Sequence, residues 1–209
     1  MKHHLLVSDF DQTLSFDDSG RVLCDILGIR GFGEQVAGLS HLNLMQEGAE
    51  LTYLLRHDPE FRAVRQEQLR DARWRVHLKR NVATLARLLE RGIDDLRFEF
   101  YVVSAATEDV VFAALDGIVA PDHIIATQLE YDPASGEIAS VACVAAGYGK
   151  VAAVEQLRGA RRVPLNRVIY VGDGTSDLHV MLHVNRGEGI TIAASEVRCV
   201  TKRADAAYP

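Results

Sequence analysis

Three short apolar runs, each ending abruptly in polar residues, constrain this chain more than any other feature. Leu5-Leu6-Val7 gives way to Ser8-Asp9-Phe10-Asp11-Gln12-Thr13, Phe98-Glu99-Phe100-Tyr101-Val102-Val103 to Ser104, and Val168-Ile169-Tyr170-Val171 to Gly172-Asp173-Gly174. Runs of this length bounded by turn-forming residues read as buried strands. Helical patterns accompany them: Glu108 to Leu115 after the second, Lys150 to Leu157 before the third and Ser176 to His183 after it. Strands alternating with helices imply a parallel sheet covered on both faces. Ligands bind such sheets beyond the carboxyl ends of the strands. The expectation is an α/β protein with a Rossmann-like parallel sheet and one site assembled from three distant segments.

Between the first two runs lies far more chain than a crossover needs. Helical patterns occupy Arg21 to Leu27, Leu44 to Arg56, Pro59 to Leu78 and Asn81 to Leu89. The last fits the core, and the others fit a small helical cap above the site. The predicted division is therefore a core of residues 1–14 and 80–209 with a cap insertion at 15–79. Apolar alternation around Asp132-Pro133-Ala134-Ser135-Gly136, from Gln128 to Ile138, predicts a β-hairpin.

Composition narrows the functional classes. With 48% hydrophobic and 25% charged residues the chain is close to average for folded proteins, and no apolar run is long enough to span a bilayer. The apolar run near Met1 is too short for the core of a secretory signal, so a cytoplasmic location and no membrane partner are expected. A net charge of -6 and a pI near 5.7 argue against a nucleic-acid partner, while a small anionic ligand needs only a local cluster. Cys24, Cys143 and Cys199 form no Cys-x-x-Cys pair and imply neither a disulfide framework nor a zinc site. They are expected to be buried thiols.

Asp9 and Asp11, two residues apart where a buried strand has just ended, can both project into one pocket. Such close like charges are costly without a cation, and a magnesium ion prefers hard oxygen ligands, with Asp173 as a third carboxylate. Taken alone, Asp-x-Asp is ordinarily a turn or helix-capping arrangement. Ser104 alone is ordinarily a helix cap, and Lys150 a solvated lysine.

Together, Asp9-Phe10-Asp11-Gln12-Thr13, Ser104, Lys150 and Gly172-Asp173-Gly174-Thr175-Ser176-Asp177 resemble the four motifs of the haloacid dehalogenase-like hydrolase superfamily, in that family's order. The branch nearest in pattern is the phosphoserine phosphatase-like one, with a helical cap after the first motif. The resemblance implies a magnesium-dependent phosphatase acting on a small phosphorylated metabolite. Asp9 would be the nucleophile that forms an aspartyl-phosphate and Asp11 the general acid and then base. Ser104 and nearby N–H groups would hold phosphoryl oxygens, and Lys150 would neutralise charge on them and on Asp9. Asp9, the Asp11 carbonyl and Asp173 would bind Mg2+, while Asp177 would act through metal-bound water or by orienting Lys150. Thr13 would shape the loop and position Asp11.

Asp11 favours phosphoryl transfer over dehalogenation, because an alkoxide needs a proton on departure and a halide does not. A phosphotransferase or mutase using the same intermediate, and a non-catalytic ligand-binding module, are the alternatives. The chain departs from the pattern at Ala105-Ala106, where relatives carry glycines, and at Ser176, where they carry asparagine. Asp17 or Asp18 would stand in for the glutamate with which phosphoserine phosphatases select the amino acid.

Other signals fail on their own terms. Gly172-Asp173-Gly174 lacks the third glycine of a dinucleotide fingerprint, since Asp177 occupies its place. Gly149-Lys150 has Val144 and Val151 where a phosphate-binding loop needs glycine and a hydroxyl. His179 and His183 flank Val180 rather than a glutamate and read as a surface or packed pair. Arg62, Arg65, Arg70, Arg73 and Arg75, mixed with Glu60, Glu67 and Asp71, read as a solvated helix face.

Overall fold

The computed structural model describes residues 2–41 and 48–208. Seven strands, β1 (Lys2–Ser8), β2 (Leu96–Thr107), β3 (Ile124–Tyr131), β4 (Ile138–Cys143), β5 (Val168–Gly172), β6 (Ile190–Ala193) and β7 (Ala206–Ala207), form one sheet in the order β4-β3-β2-β1-β5-β6-β7. Neighbours run parallel except β3 and β4, the predicted hairpin. The helices are α1 (Ser19–Leu27), α2 (Phe32–His41), α3 (Glu50–His57), α4 (Pro59–Arg62), α5 (Gln66–Asp71), α6 (Val82–Arg91), α7 (Glu108–Ala114), α8 (Tyr148–Arg161), α9 (Leu178–Arg186) and α10 (Arg198–Thr201).

Strand periodicity sorts the core into two faces. Leu5, Val7, Tyr101, Val103 and Tyr170 pack with Val154 and Leu157 of α8 and Val180, Met181 and Val184 of α9. Leu6, Phe100 and Val102 face the other way, toward Val82 and Leu89 of α6 and Val110 and Val111 of α7. Each fully buried aliphatic or aromatic side chain among these contributes about 1.5–3 kcal/mol relative to exposure. The strand order reverses at β1, flanked by β2 and β5. That reversal is where an open α/β sheet leaves a crevice at its carboxyl edge.

The stretch carrying α1 to α5 leaves and rejoins the sheet through a narrow pair of segments. Ser15 bridges Leu78 in antiparallel fashion, Phe16 N donates to His77 O at 2.8 Å and Lys79 N to Leu14 O at 2.8 Å. Leu54, Leu55, Phe61, Val64, Leu69 and Ala72 from this stretch belong to the same apolar cluster as Val110, Val111 and Leu115 beside the sheet.

Three expectations require correction. The helix expected from Pro59 to Leu78 is broken into α4, α5 and a 3-10 turn at Ala72–Trp74. Arg65 is extended there (φ -110°, ψ 154°). It bridges Glu137 and its guanidinium donates to Ser135 O at the hairpin turn, a tertiary pairing that overrides local helix preference. The helix expected from Leu44 to Arg56 begins at Glu50, residues 44–47 lying outside the described residues. Of the cysteines only Cys24 is buried; Cys143 is exposed on the edge strand β4, Cys199 is partly buried, and all three are free thiols. Among the described residues no helix is long and apolar enough to cross a membrane.

Candidate active site

The carboxyl ends of β1, β2 and β5 open into a cavity of about 320 Å³ lined by Asp9, Asp11, Ser104 and Asp173 on the sheet side. Asp9 continues the line of β1, its N–H donating to Val171 O at 2.8 Å. Beyond it the chain turns sharply, with Gln12 in the left-handed region (φ 55°) and Leu14 N and Ser15 N both donating to Phe10 O. The turn buries Phe10 and presents the side chains of Asp9 and Asp11 to the cavity.

At the end of β2 the register with β3 skips between Ser104 and Thr107. Such a bulge re-aims side chains beside a site. Ala106 N donates to Ser104 Oγ at 3.1 Å and Thr127 Oγ1 to Ala105 O at 2.8 Å, so both alanines line the cavity.

Lys150, in the first turn of α8, is completely buried with its Nζ 2.8 Å from Asp9 Oδ2 and 2.6 Å from Asp177 Oδ1. Asp177 is held further by Tyr170 OH at 2.6 Å and Gly174 N at 3.1 Å. Gly172 makes room for it, since a Cβ there would fall 2.5 Å from the Asp177 carboxylate. Of the two roles expected for Asp177, orienting Lys150 is the one its contacts serve. The Thr13 hydroxyl donates to Asp173 Oδ1 at 3.2 Å. Asp11 is held instead by Ser19, whose N–H and hydroxyl reach its two oxygens at 3.1 and 2.8 Å.

The electrostatics follow from three carboxylates around one ammonium. Burial pushes the Asp9 carboxyl up, the Asp177 charge adds to this, and Lys150 opposes it. Burial and then Asp177 push Asp173 up to about 6. Burial, with Asp18 next, raises Asp11 well above the carboxylate range against the two Ser19 hydrogen bonds. Burial alone would lower the Lys150 pKa, but the Asp177 and Asp9 charges outweigh it and hold the ammonium's pKa above the usual lysine value. Carboxylate oxygens of Asp9, Asp173 and Asp177 lie within 4.8 Å of one another. Asp177 accepts from Lys150, Tyr170 and Gly174, Asp9 from Lys150 and Phe10 N and Asp173 from Thr13, so Asp9 and Asp173 keep more acceptor sites for a cation than Asp177 does. Hard oxygens with a surplus of negative charge fit a divalent cation such as magnesium.

The family model for haloacid dehalogenase-like hydrolases matches residues 6–182. The chain belongs to that family. Among solved structures this hydrolase is similar to a phospho-aspartyl intermediate analogue of phosphoserine phosphatase, with a TM-score of 0.77 at 17% identity over 99% of this chain and 93% of that one. A substrate-bound phosphoserine phosphatase complex gives the same TM-score, identity and coverage, 0.77, 17%, 99% and 93%. A phosphoserine phosphohydrolase-like protein from Francisella tularensis follows with a TM-score of 0.73 at 17% identity, over 100% of this chain and 95% of that one. At such identities the likeness is one of fold. No curated protein sequence matches the hydrolase.

The remaining sequence candidates sort by contact. Asp17 turns away from the cavity to His77, whose N–H and Nδ1 lie 2.6 and 2.9 Å from its Oδ2. Asp18 lines the cavity and caps α1 by accepting from Arg21 N at 2.9 Å. His179 packs at a tilt against the Tyr148 ring and His183 pairs with Glu155, so the two histidines do not converge on a metal. Arg70 pairs with Asp109 at 3.4 Å. Ser19, Tyr170 and Glu50 are site residues that the sequence reading missed. Ser19 follows the N-cap Asp18 and had a local signal; the other two carried none.

Proposed function

We propose that this hydrolase is a magnesium-dependent phosphatase that cleaves a phosphomonoester of a small metabolite through an aspartyl-phosphate on Asp9. The observation that supports it is the Asp9 carboxylate, fixed at 2.8 Å by Lys150 Nζ and at 2.7 Å by Phe10 N, facing a cavity that Asp11 and Ser104 share. A nucleophile aimed by two donors is preorganised for in-line attack.

In the first step an Asp9 carboxylate oxygen bonds to phosphorus as the ester P–O bond breaks, and Asp11, carrying a proton, gives it to the leaving alkoxide. The raised pKa of Asp11 suits an acid that must hold a proton near neutral pH. In the second, the Asp11 carboxylate takes a proton from water, whose oxygen displaces Asp9 from phosphorus and releases inorganic phosphate. Ser104 Oγ and the N–H groups of the β2 bulge hold the non-bridging oxygens, and Lys150 screens Asp9 from the incoming anion. Asp9, the Asp11 carbonyl and Asp173 would hold the magnesium ion, which supplies electrostatic stabilisation of the transferring phosphoryl group. Residues 15–79 would act as the cap over a core of 1–14 and 80–209, excluding water and setting specificity.

The test is phosphate release from a panel of phosphorylated metabolites with magnesium or EDTA, for the unaltered chain and Asp9→Asn. Magnesium-dependent release that Asp9→Asn abolishes supports the reading. Release unchanged in Asp9→Asn refutes it.

A further inference from the structure

We infer that Thr127, which takes no part in the cavity lining, is a positioning residue that aims the hydroxyl of Ser104 at phosphate through the peptide group between Ala105 and Ala106. The inference rests on the phosphatase reading and adds a residue behind the wall of its phosphoryl pocket.

The ladder between β2 and β3 breaks beside the cavity. Ser104 pairs with Ala126 and Thr107 with Thr127, so β3 offers no partners for Ala105 and Ala106. A bulge of this kind leaves backbone groups outside the ladder, and when buried they need other partners. Thr127, fully buried on β3, supplies one, its hydroxyl donating to Ala105 O at 2.8 Å. The same oxygen accepts from Ala145 N at 3.4 Å, in the segment that leads into α8 and Lys150. A hydroxyl has one hydrogen to give, and here Ala105 O takes it.

Among the described residues no peptide bond is cis. In a trans peptide the C=O and the N–H point in opposite directions. A carbonyl tied to Thr127 therefore turns the Ala106 N–H the other way, and it donates to Ser104 Oγ at 3.1 Å. That bond occupies an acceptor site on the Ser104 oxygen and leaves its hydrogen to donate. Ser104 is 1% exposed and lines the cavity, so a phosphoryl oxygen bound there is the acceptor this hydrogen is set to meet. Hydrogen bonds in a chain polarise one another. Each donor in the sequence Thr127, Ala106, Ser104 is strengthened by the one behind it. The competing account is that Thr127 only satisfies a carbonyl stranded by the bulge.

The experiment is phosphorus NMR titration with inorganic phosphate, in magnesium, of the unaltered chain and its variants. Thr127→Val removes the hydroxyl at nearly constant shape and is expected to weaken phosphate binding ~10-fold, the scale of one hydrogen bond. Thr127→Ser, which keeps the hydroxyl, should bind phosphate within ~2-fold of the parent. In a Ser104→Ala chain the Thr127→Val change should alter the affinity by less than ~2-fold, because the relay has lost its end. A purely structural role gives the same loss in both backgrounds. The rise in melting temperature on adding magnesium should be equal in Thr127→Val and the parent, whereas a general loosening of the site would reduce it.

Equal losses in the two backgrounds, parent-like binding by Thr127→Val, a ~10-fold loss in Thr127→Ser, or no phosphate binding by the unaltered chain would overturn the inference. Thr127→Cys keeps only a weak donor, and it replaces the valine variant in both backgrounds where that chain fails to fold. Phosphate release from the metabolite panel by the unaltered chain reports separately on the reaction. Its presence without coupling between Thr127 and Ser104 sinks the role of Thr127 alone, and its absence sinks the phosphatase reading.

Discussion

Lys150 Nζ lies 2.6 Å from Asp177 Oδ1, and neither side chain has any contact with solvent. Tyr170 donates to the same oxygen at 2.6 Å. Removing one partner of such a pair leaves an uncompensated buried charge, at a cost of about 3–5 kcal/mol. Lys150→Ala is therefore expected to lose that much stability in urea unfolding and to lose phosphate release. Tyr170→Phe removes a single hydrogen bond to a charged group, about 1.5–3 kcal/mol, and should keep the lysine in place with turnover within ~10-fold of the parent. A Lys150→Ala protein as stable as the parent would show that the pairing contributes little.

Magnesium should stabilise the fold as well as support turnover. At 100 times its dissociation constant a ligand of the native state adds about 2.7 kcal/mol. Thermal melts in magnesium and in EDTA should differ accordingly for the unaltered chain. For Asp173→Asn, which withdraws one carboxylate, the two melts should coincide. A magnesium shift that persists in Asp173→Asn would place the ion elsewhere.

Gly48 meets Ser176 across the cavity. It has φ +91°, and a Cβ built on it would fall 2.8 Å from Ser176 Cβ. That close approach, together with the positive φ, gives a physical reason for glycine at position 48. Gly48→Ala should lower kcat/KM ~10-fold through displacement of the facing loop, with about 1 kcal/mol lost in unfolding from backbone strain. Ser176→Gly in the same chain should recover part of the kcat/KM loss, and a double-mutant cycle measures that recovery. Strict additivity would mean the two residues do not press on each other.

The thiols should separate by reactivity. Burial pushes Cys24 up to about 12, with Asp18 and Asp25 adding to it, while Cys143 is exposed. Iodoacetamide at pH 8 should label Cys143 in the native protein and Cys24 only in denaturant, read by peptide mass mapping. The linkage has a definite sign. The folded state holds the Cys24 proton more tightly than the unfolded state, so stability should fall as pH rises from about 9 to about 12. Native labelling of Cys24 at pH 8 would contradict its burial.

How much of this was legible in the sequence depended on whether a residue's role was set by its own segment. Asp9, Asp11, Ser104 and Asp173 sit where apolar strands stop, and strand ends of a parallel sheet share one edge, so their meeting follows from local pattern plus topology. Lys150 is different. Nothing around it announces complete burial, and only the order of motifs marked it. Tyr170 read as one more core residue, because its hydroxyl gains a partner only when the Thr175–Asp177 turn folds back beneath the strand. The break at Arg65 depends on a hairpin distant in sequence, and the short strands β6 and β7 are too brief to carry a period. Cys143 was misjudged because an edge strand buries fewer of its side chains than a central one.

Leu69 and Ala72 share one apolar cluster with Val110, Val111 and Leu115, and Leu54 and Leu55 of α3 belong to it as well. The buried face of the stretch between Ser15 and Leu78 can therefore change only in step with the helix α7 beneath it. A chimaera that imports this stretch from another member of the family must import the matching face of α7 with it.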